Sequence, residues 1–368
     1  MSKLEQLRDI GQAPWLDFVD RKFLDAGGLK KLVDEDGLTG VTSNPTIFEK
    51  AMGAGDAYAA GFAEFDQATP GAEPMARYES QAVKDIQAAC DVLRPVYDRL
   101  SAKDGYVSLE VSPYLALKGP ETAEEAERLW KAVDRPNLMI KIPGTDDGVR
   151  AIRDTIAKGI NVNVTLLFSV ESYQNVAHAY VEGLEERASK DLPIDKIASV
   201  ASFFISRIDG KIDDKIDAGT GGDGAKALKG KVAIANAKLA YAWYQEFTAS
   251  DRWQKLAAKG AQPQRLLWAS TGTKNPDYPD TLYVDELIGS DTVNTMPPKT
   301  MDAFRDHGTV EVTLTKDVEG ARKTIADAER LGLDLDGVTK TLVDEGVASF
   351  TKSFDDLLAA IGKQKTDA

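Results

Sequence analysis

Apolar and polar residues alternate strictly in several short segments of the chain. In residues 137–142, for example, Ile140 and Ile142 flank Lys141, and residues 106–111 repeat the same alternation. Because successive side chains of a β-strand point to opposite faces, each segment predicts a strand with one apolar and one polar face. The polar positions of these segments are Asp17, Ser108, Glu110, Lys141, Asn161, Asn163 and Thr165.

Segments of this kind recur along the chain and are separated by longer stretches with helical periodicity. Long helical connections predict parallel strands joined by right-handed crossovers. Eight such strands predict an α/β fold, a (β/α)8 TIM barrel, whose apolar strand faces meet outer helices and whose polar faces point inward. The predicted strands are residues 13–19, 38–42, 106–111, 137–142, 160–166, 197–202, 265–270 and 292–296.

The helical stretches predict additional helices around this barrel and a helical extension after it. The extension covers about residues 318–368, and apolar residues recur in its last helix every three or four positions. This helix therefore buries one face against the barrel, which is the usual case, or in an oligomer contact. No linker divides the chain, so residues 1–368 predict a single domain. The other predicted helices are residues 23–34, 46–52, 56–67, 75–100, 122–133, 146–158, 169–189, 202–216, 232–247 and 300–306.

The sequence also predicts one helix N-cap and one mobile loop. Thr122, with Glu125 three residues later, is a candidate N-cap for the helix that ends near Val133. Residues 217–230 are rich in Gly, Asp and Lys, which predicts a mobile loop with no assigned role.

Composition narrows the classes of function. The chain has 368 residues and a net charge of -14, which disfavours nucleic acids and acidic membranes as partners. A site for anionic substrates would therefore need locally placed basic residues. Cys90 is the only cysteine, so no intrachain disulfide can form, which is consistent with a cytoplasmic protein. The first ten residues lack the apolar core of a signal peptide, and two histidines are too few for a three-histidine zinc site.

Lys141 is the candidate catalytic residue that the pattern points to most directly. A lysine buried in a barrel loses hydration, its pKa falls towards neutrality, and the neutral amine attacks carbonyls to form a Schiff base. The alternative is an edge strand on which Lys141 faces water. The polar faces of the neighbouring strands favour the first interpretation, because a purely structural barrel would fill its interior with Val, Ile and Leu.

Six blocks of sequence together resemble the transaldolase family. Four of them are residues 40–48, the strand that contains Lys141, residues 159–168 and residues 202–207. The last two blocks, residues 268–276 and 291–297, are similar to the longer bacterial form of the family. Each block is modestly specific, whereas their joint order along the chain is highly specific.

The resemblance implies a barrel of the class I aldolase superfamily that needs no metal or organic cofactor. It implies transfer of a dihydroxyacetone unit from sedoheptulose 7-phosphate to glyceraldehyde 3-phosphate, giving erythrose 4-phosphate and fructose 6-phosphate in the non-oxidative pentose phosphate pathway. In the implied site Lys141 forms the Schiff base, Asp17 takes the hydroxyl proton during carbon–carbon cleavage, and Glu110 with Thr165 holds the catalytic water. The substrate-binding residues implied are Thr42, Asn44, Asn163, Ser202, Phe204, Arg207 as the phosphate ligand, Ser270 and Lys274.

One position departs from the family pattern. Shorter relatives carry a second arginine shortly after the serine that matches Ser270, whereas this chain has Thr271, Gly272, Thr273 and Lys274 there. Lys274 supplies the missing positive charge as a point cation, or it is an ordinary solvated loop lysine.

Three alternatives stay open from the residues. A fructose 6-phosphate aldolase uses the same imine but releases free dihydroxyacetone; those relatives are shorter and lack a glutamate at the position of Glu110. A pyridoxal-phosphate enzyme also uses a buried lysine, but no glycine-rich phosphate loop stands out here. A non-catalytic barrel scaffold would account for the fold but not for inward polar residues. The expected partners are sugar phosphates, and the expected assembly is a monomer or homodimer.

Overall fold

Eight parallel strands close into a barrel in the computed structural model, which describes residues 1–53 and 56–364. Each strand pairs with the next along the chain, and β8 pairs with β1 to complete the closure. The predicted (β/α)8 barrel is therefore confirmed. The strands are β1 (Gln12–Leu16), β2 (Gly40–Thr42), β3 (Tyr106–Glu110), β4 (Leu138–Pro143), β5 (Val162–Leu167), β6 (Ser199–Phe204), β7 (Arg265–Ala269) and β8 (Thr292–Met296).

Helices surround the barrel and continue beyond its last strand. Those within the described ranges are α1 (Lys3–Ile10), α2 (Arg21–Asp25), α3 (Gly28–Asp36), α4 (Pro45–Gly53), α5 (Ala59–Ala68), α6 (Pro74–Arg99), α7 (Gly119–Val133), α8 (Asp146–Ala157), α9 (Val170–Ser189), α10 (Ser206–Asp217), α11 (Gly222–Ala225), α12 (Val232–Ala249), α13 (Asp251–Ala257), α14 (Leu282–Asp285), α15 (Pro298–His307), α16 (Val318–Arg330) and α17 (Leu335–Lys363). None of these helices is long and apolar enough to span a lipid bilayer.

The register between strands brings the predicted polar positions side by side. Glu110 of β3 pairs with Lys141 of β4, and Lys141 pairs with Asn163 of β5. The alternate residues Ile140 and Ile142 are fully buried between the barrel and its helices. The alternation in the sequence therefore corresponds to an aliphatic outer face and a polar inner face.

The amino-terminal end of the barrel is closed by a small buried polar network. Trp15 Nε1 donates to Asp104 Oδ1 over 2.9 Å, and Arg265 Nη1 lies 3.3 Å from Asp104 Oδ2. The Trp15 ring lies so close to β2 that a Cβ atom on Gly40 would come within 2.3 Å of it. Asn161 also belongs to this end, where its side chain bonds the backbone of Leu138 and Ala198. Its polar position on the inner face thus has a structural role.

The last helix packs on the barrel, as predicted for the extension, and it does so at the carboxyl-terminal end. A Cβ atom on Gly346 of α17 would approach Leu166 to 2.8 Å, so glycine permits this close contact with β5. Thr46 Oγ1 and Ser353 Oγ hydrogen-bond at 2.8 Å and join α17 to α4. The preceding helix, α16, packs on α12 outside the barrel.

Four local predictions were wrong. The single helix predicted for residues 23–34 is two helices, α2 and α3, because Gly27 adopts the left-handed region with φ 72° between them. The helix predicted for residues 202–216 begins only at Ser206, because β6 continues to Phe204 through its pairing with β7. The segment 217–230 is not an irregular loop throughout, since it contains α11 and a short 3-10 turn. Thr122 is not an N-cap: it lies inside α7, and its hydroxyl donates to the Leu115 carbonyl over 2.7 Å.

The first helix was missing from the sequence-based prediction. Ser2 caps α1 in a reciprocal capping box with Glu5, and Leu4 and Leu7 are fully buried. The pattern Ser-x-x-Glu, together with apolar residues three positions apart at Leu4 and Leu7, is a start signal that could have identified this helix.

We propose that the chain forms one folding unit, including the extension from residue 318 up to the last described residue, 364; residues 365–368 of that predicted range lie outside the described residues. The contacts of α17 with β5 and α4 support this proposal. Urea unfolding should then give one transition by two probes. Far-UV circular dichroism reports the helices, α17 included, and tryptophan fluorescence reports the barrel through the buried Trp15 and Trp268. An earlier transition seen only by circular dichroism would contradict the proposal.

Candidate active site

A cavity of about 580 Å³ opens at the carboxyl-terminal end of the barrel, the end at which barrel enzymes bind ligands. Its walls come from strand ends, from the loops that follow them, and from α17 through Phe350. Of the twelve residues predicted for the site, ten line this cavity: Asp17, Thr42, Asn44, Lys141, Thr165, Ser202, Phe204, Arg207, Ser270 and Lys274.

The other two predicted residues lie directly behind the cavity wall. Glu110 contacts Lys141 and lines a smaller adjoining space of about 20 Å³, which is enough for about one water molecule. Asn163 is fully buried and contacts the cavity through Ser202. The structure thus brings all twelve residues into one neighbourhood.

Lys141 lies at the floor of the cavity with its side chain almost completely buried. Its Nζ donates to the Ser43 carbonyl over 2.9 Å and lies 3.2 Å from Glu110 Oε2. Burial raises the pKa of the Glu110 carboxyl, an effect that the Lys141 charge partly offsets. A carboxylate made more basic in this way can take a proton from the neighbouring ammonium and return it later.

Asp17 lines the same cavity as Lys141 and lies just after β1. Its backbone N–H donates to the Met296 carbonyl over 2.9 Å, which fixes the turn out of the strand. Thr42 Oγ1 lies 2.7 Å from Asp17 Oδ1 and 2.7 Å from Thr295 Oγ1. Burial raises the pKa of Asp17, whereas the Thr42 hydrogen bond and the charges of Lys141 and Arg207 lower it.

A hydrogen-bonded row holds Asn163 in one orientation. Its Nδ2 donates to Ser108 Oγ over 3.0 Å, and Ser202 Oγ donates to its Oδ1 over 2.7 Å. Both ends of the amide are therefore engaged, although Nδ2 keeps a second hydrogen that can be donated to a ligand.

Thr165 projects from an irregular stretch of β5. The pairing of β5 with β6 shifts between Val164 and Leu167, and Leu166 adopts the left-handed region with φ 60°. Such a backbone is costly for leucine and is found most often at functional sites. Thr165 Oγ1 is buried and has no hydrogen-bond partner within the described part of the chain. It can therefore bond a water or a substrate atom.

Asn44 is half-buried at the start of α4. Its Oδ1 accepts from the Ile47 backbone N–H over 3.0 Å, so the amide oxygen caps the helix and the amide nitrogen is available to a ligand. The preceding Ser43 was not predicted, yet its carbonyl bonds Lys141 and its hydroxyl donates to the Ser108 carbonyl over 2.7 Å.

Arg207 marks the outer, cationic end of the cavity. Its guanidinium lies 5.1 Å from the centre of the Phe204 ring and 6.0 Å from that of Phe350. Burial removes water from the Arg207 guanidinium and lowers its pKa. A bound anion would replace the lost hydration with a favourable charge interaction. Ser270 lies nearby in the left-handed region, φ 56°, with its hydroxyl 2.8 Å from that of Ser206.

Lys274 lies at the same end and is not a remote loop lysine. Arg207 and Lys274 line the same cavity; burial lowers the pKa of Lys274, and the positive charge of Arg207 lowers it further. Within residues 1–53 and 56–364, no ion pair joins either of them to a carboxylate. Lys50 and Lys299 also line this rim.

Several residues of the site were missed in the sequence. Thr295 sits at an alternate position of β8, and that alternation was a usable signal. Phe350 gave no signal of a site, because it follows the apolar periodicity of α17 like any core residue. No group of three His, Cys, Asp or Glu side chains among the described residues could hold a metal ion.

Comparison with known proteins agrees with this geometry. A sequence model described as Transaldolase/Fructose-6-phosphate aldolase matches residues 14–361. The chain is 47% identical over 367 residues to a protein named "Transaldolase" from Trichodesmium erythraeum, covering 97% of this chain and 96% of that protein. It is 48% identical over 364 residues to a "Transaldolase" from Thermobifida fusca, covering 99% and 98%.

A further relative is the "Transaldolase" of Thiobacillus denitrificans, 47% identical over 362 residues that cover 98% of this chain and all of that protein. Identity at this level over whole chains goes with a shared fold and the same arrangement of strands. The chain therefore belongs to the transaldolase/fructose-6-phosphate aldolase family.

Proposed function

We propose that this protein is a transaldolase that transfers dihydroxyacetone from sedoheptulose 7-phosphate to glyceraldehyde 3-phosphate, giving erythrose 4-phosphate and fructose 6-phosphate. The observation that carries the proposal is the buried Lys141, 3.2 Å from Glu110, at the floor of a cavity whose rim carries Arg207. A nucleophilic amine, a base and an anion site in one cavity fit a phosphorylated ketose.

Imine formation needs a neutral amine and the removal of one water. Glu110 takes a proton from Lys141, and the free amine attacks the ketose carbonyl to form a carbinolamine. Glu110 then returns the proton to the leaving hydroxyl, so that water departs and a protonated imine remains. Thr165 Oγ1, buried and free to bond, holds that water beside the reacting carbon.

Carbon–carbon cleavage needs a base in the cavity near Lys141, and Asp17 is placed to serve as that base. The Asp17 carboxylate removes the proton from the hydroxyl on C4 of the ketose. The C3–C4 bond breaks, its electron pair moves into the protonated imine to form an enamine, and an aldose phosphate leaves. In the second half the enamine carbon attacks an acceptor aldehyde, and Asp17 returns the proton to the new alkoxide.

The remaining polar residues orient the substrate. Asn44 and Asn163 offer amide hydrogens to the hydroxyls of the dihydroxyacetone unit without competing for protons. The planar guanidinium of Arg207 binds the phosphate through two parallel hydrogen bonds, and Lys274 adds a second positive charge. Ser202, Ser270 and Thr42 contribute hydroxyls, and Phe204 forms the wall next to the arginine.

The alternative within the family is a fructose 6-phosphate aldolase, which releases free dihydroxyacetone. Every relative compared above is named as a transaldolase, and this favours transfer. An assay that varies the acceptor separates the two: a transferase consumes fructose 6-phosphate only when erythrose 4-phosphate is present, whereas an aldolase consumes it alone.

We place the enzyme in the cytoplasm, acting on sugar phosphates as a monomer or a homodimer. The single cysteine, Cys90, is buried and suits a reducing compartment. Light scattering decides the assembly, since a mass near 39.8 kDa indicates a monomer and twice that value a dimer.

Borohydride with fructose 6-phosphate should reduce an imine on Lys141 and leave a label on its peptide. Lys141→Ala should take up no label and lose at least about 10⁴-fold in kcat, because the covalent step has no substitute. Lys238 is the matched control: it is another nearly buried lysine, outside the barrel on α12, and Lys238→Ala should label normally. Label on a different lysine would contradict the assignment.

Arg207→Ala should raise KM for fructose 6-phosphate by about 100-fold and Lys274→Ala by about tenfold. A guanidinium binds phosphate through two parallel hydrogen bonds, so its loss weakens binding more than the loss of a single ammonium. Inhibition by inorganic phosphate should weaken in the same order. The exposed Lys226 of the segment after α11 serves as the control. If KM for unphosphorylated fructose rises equally, both residues are structural and the phosphate site is elsewhere.

Thr42→Val should move the acid limb of the pH–rate profile to higher pH. The Thr42 hydrogen bond lowers the pKa of Asp17, so its removal raises that pKa, and a larger share of Asp17 is protonated at a given pH. The protonated acid cannot act as a base, so the rate falls earlier on acidification. Thr42→Ser keeps the hydroxyl and should keep the wild-type limb. A uniform loss of rate without a shift argues against this role.

A further inference from the structure

Helix α10 carries Arg207 on one face and two buried aspartates on the opposite face. Asp209 and Asp213 are four residues apart, so they lie one above the other along the helix. Both are nearly inaccessible to solvent, at 1% and 7% exposure. Carboxylates at such depth are rare and need bonding partners.

Their partners are two tyrosine hydroxyls and two backbone N–H groups. Asp209 accepts from Tyr283 over 3.0 Å and from the Ala233 N–H over 2.8 Å. Asp213 accepts from the Tyr278 hydroxyl and, over 3.2 Å, from the Gly230 N–H. Burial raises the pKa of both carboxyls, that of Asp209 to about 7.

The two tyrosines belong to the segment that follows Lys274. Between β7 and β8 the only regular element in the described chain is the four-residue helix α14. Tyr278 comes four residues after Lys274, and its ring lies against Gly230, where a Cβ atom would approach it to 2.8 Å. The Asp–Tyr hydrogen bonds therefore join this largely irregular segment to α10.

The electrostatics of the rim explain why such a connection is needed. Arg207 and Lys274 line the same cavity, and the charge of Arg207 lowers the pKa of Lys274. Two cations repel each other until an anion lies between them. A segment with little regular structure would move Lys274 away from Arg207 unless something else held it in place.

We propose that Asp209 and Asp213, with Tyr283 and Tyr278, are positioning residues that hold Lys274 next to Arg207 and so assemble the phosphate site before the substrate arrives. The proposal rests on the proposed function, because it assigns the two cations to the substrate phosphate. The four residues touch no substrate; they act through Lys274.

Tyr278→Phe and Tyr283→Phe each remove one hydroxyl and leave the ring in place. Each should raise KM for fructose 6-phosphate by about fivefold to tenfold. The lost hydrogen bond acts indirectly, because it lets the segment that carries Lys274 move away from the phosphate site. KM for unphosphorylated fructose should change far less, and inorganic phosphate should inhibit more weakly. Tyr241→Phe is the matched control: this buried tyrosine donates to the Ser290 carbonyl over 3.0 Å, at the opposite end of the barrel.

A double-mutant cycle with Lys274→Ala supplies the decisive readout. If the tyrosines act through Lys274, then Tyr278→Phe and Tyr283→Phe should have no further effect on KM in the Lys274→Ala background. Additive effects, or equal rises in KM for both fructose and its phosphate, would overturn the proposal. Because Tyr278 and Tyr283 are tested separately, poor folding of one variant leaves the other as a test.

Failure of this proposal is distinguishable from failure of the proposed function. If the wild-type protein forms no borohydride-trapped imine with fructose 6-phosphate, the transaldolase assignment is wrong. If the wild type is labelled and turns over but the tyrosine variants bind inorganic phosphate as it does, only the positioning role is wrong.

Discussion

The ammonium of Lys141, buried beside the Glu110 carboxylate, is the constraint on which the rest of the site depends. Removing two charges from water costs several kcal/mol per ion, and only close pairing offsets that cost. The register of β3 with β4 places the two residues side by side. The Ser43 carbonyl accepts a further hydrogen bond from Lys141 Nζ. Ser43 in turn is held by its own bond to the Ser108 carbonyl. The lysine is thus stabilised in the position from which it can react.

Negative and positive side chains occupy different depths of the cavity. The carboxylates of Asp17 and Glu110 lie near Lys141 at the floor, whereas Arg207 and Lys274 lie at the rim with no carboxylate paired to them in the described residues. A sugar phosphate fits this order, because its carbonyl end can react with the amine at the floor while its phosphate needs the cations at the rim. The arrangement also resolves how a chain with a net charge of -14 can bind anions: the positive charge is local.

The carboxyl-terminal helix is part of the site as well as of the fold. Through Gly346 it packs against Leu166, beside the irregular stretch of β5 that presents Thr165. One turn later the same helix places Phe350 near the Arg207 guanidinium, opposite Phe204. A helix far from these strands in sequence therefore shapes the cavity beside both Thr165 and Arg207.

The sequence by itself determined the eight strands, their inward polar positions and Lys141 as the candidate nucleophile. The reason is that side chains alternate between the two faces of a strand, so neighbouring residues alone reveal the pattern. The family motifs then added Arg207 and the residues around it. Local signals failed where pairing with a distant strand decides the structure, as in β6, which β7 extends to Phe204 in place of the predicted helix. Only the tertiary structure decided that Asn161 bonds the backbone at the amino-terminal end of the barrel while Asn163 bonds Ser202 behind the cavity wall, since both occupy the same alternating pattern at different heights. It alone also brought Thr295 and Phe350 to the cavity and joined the segment after Lys274 to α10 through the Asp–Tyr pairs, because these contacts link residues far apart in the chain.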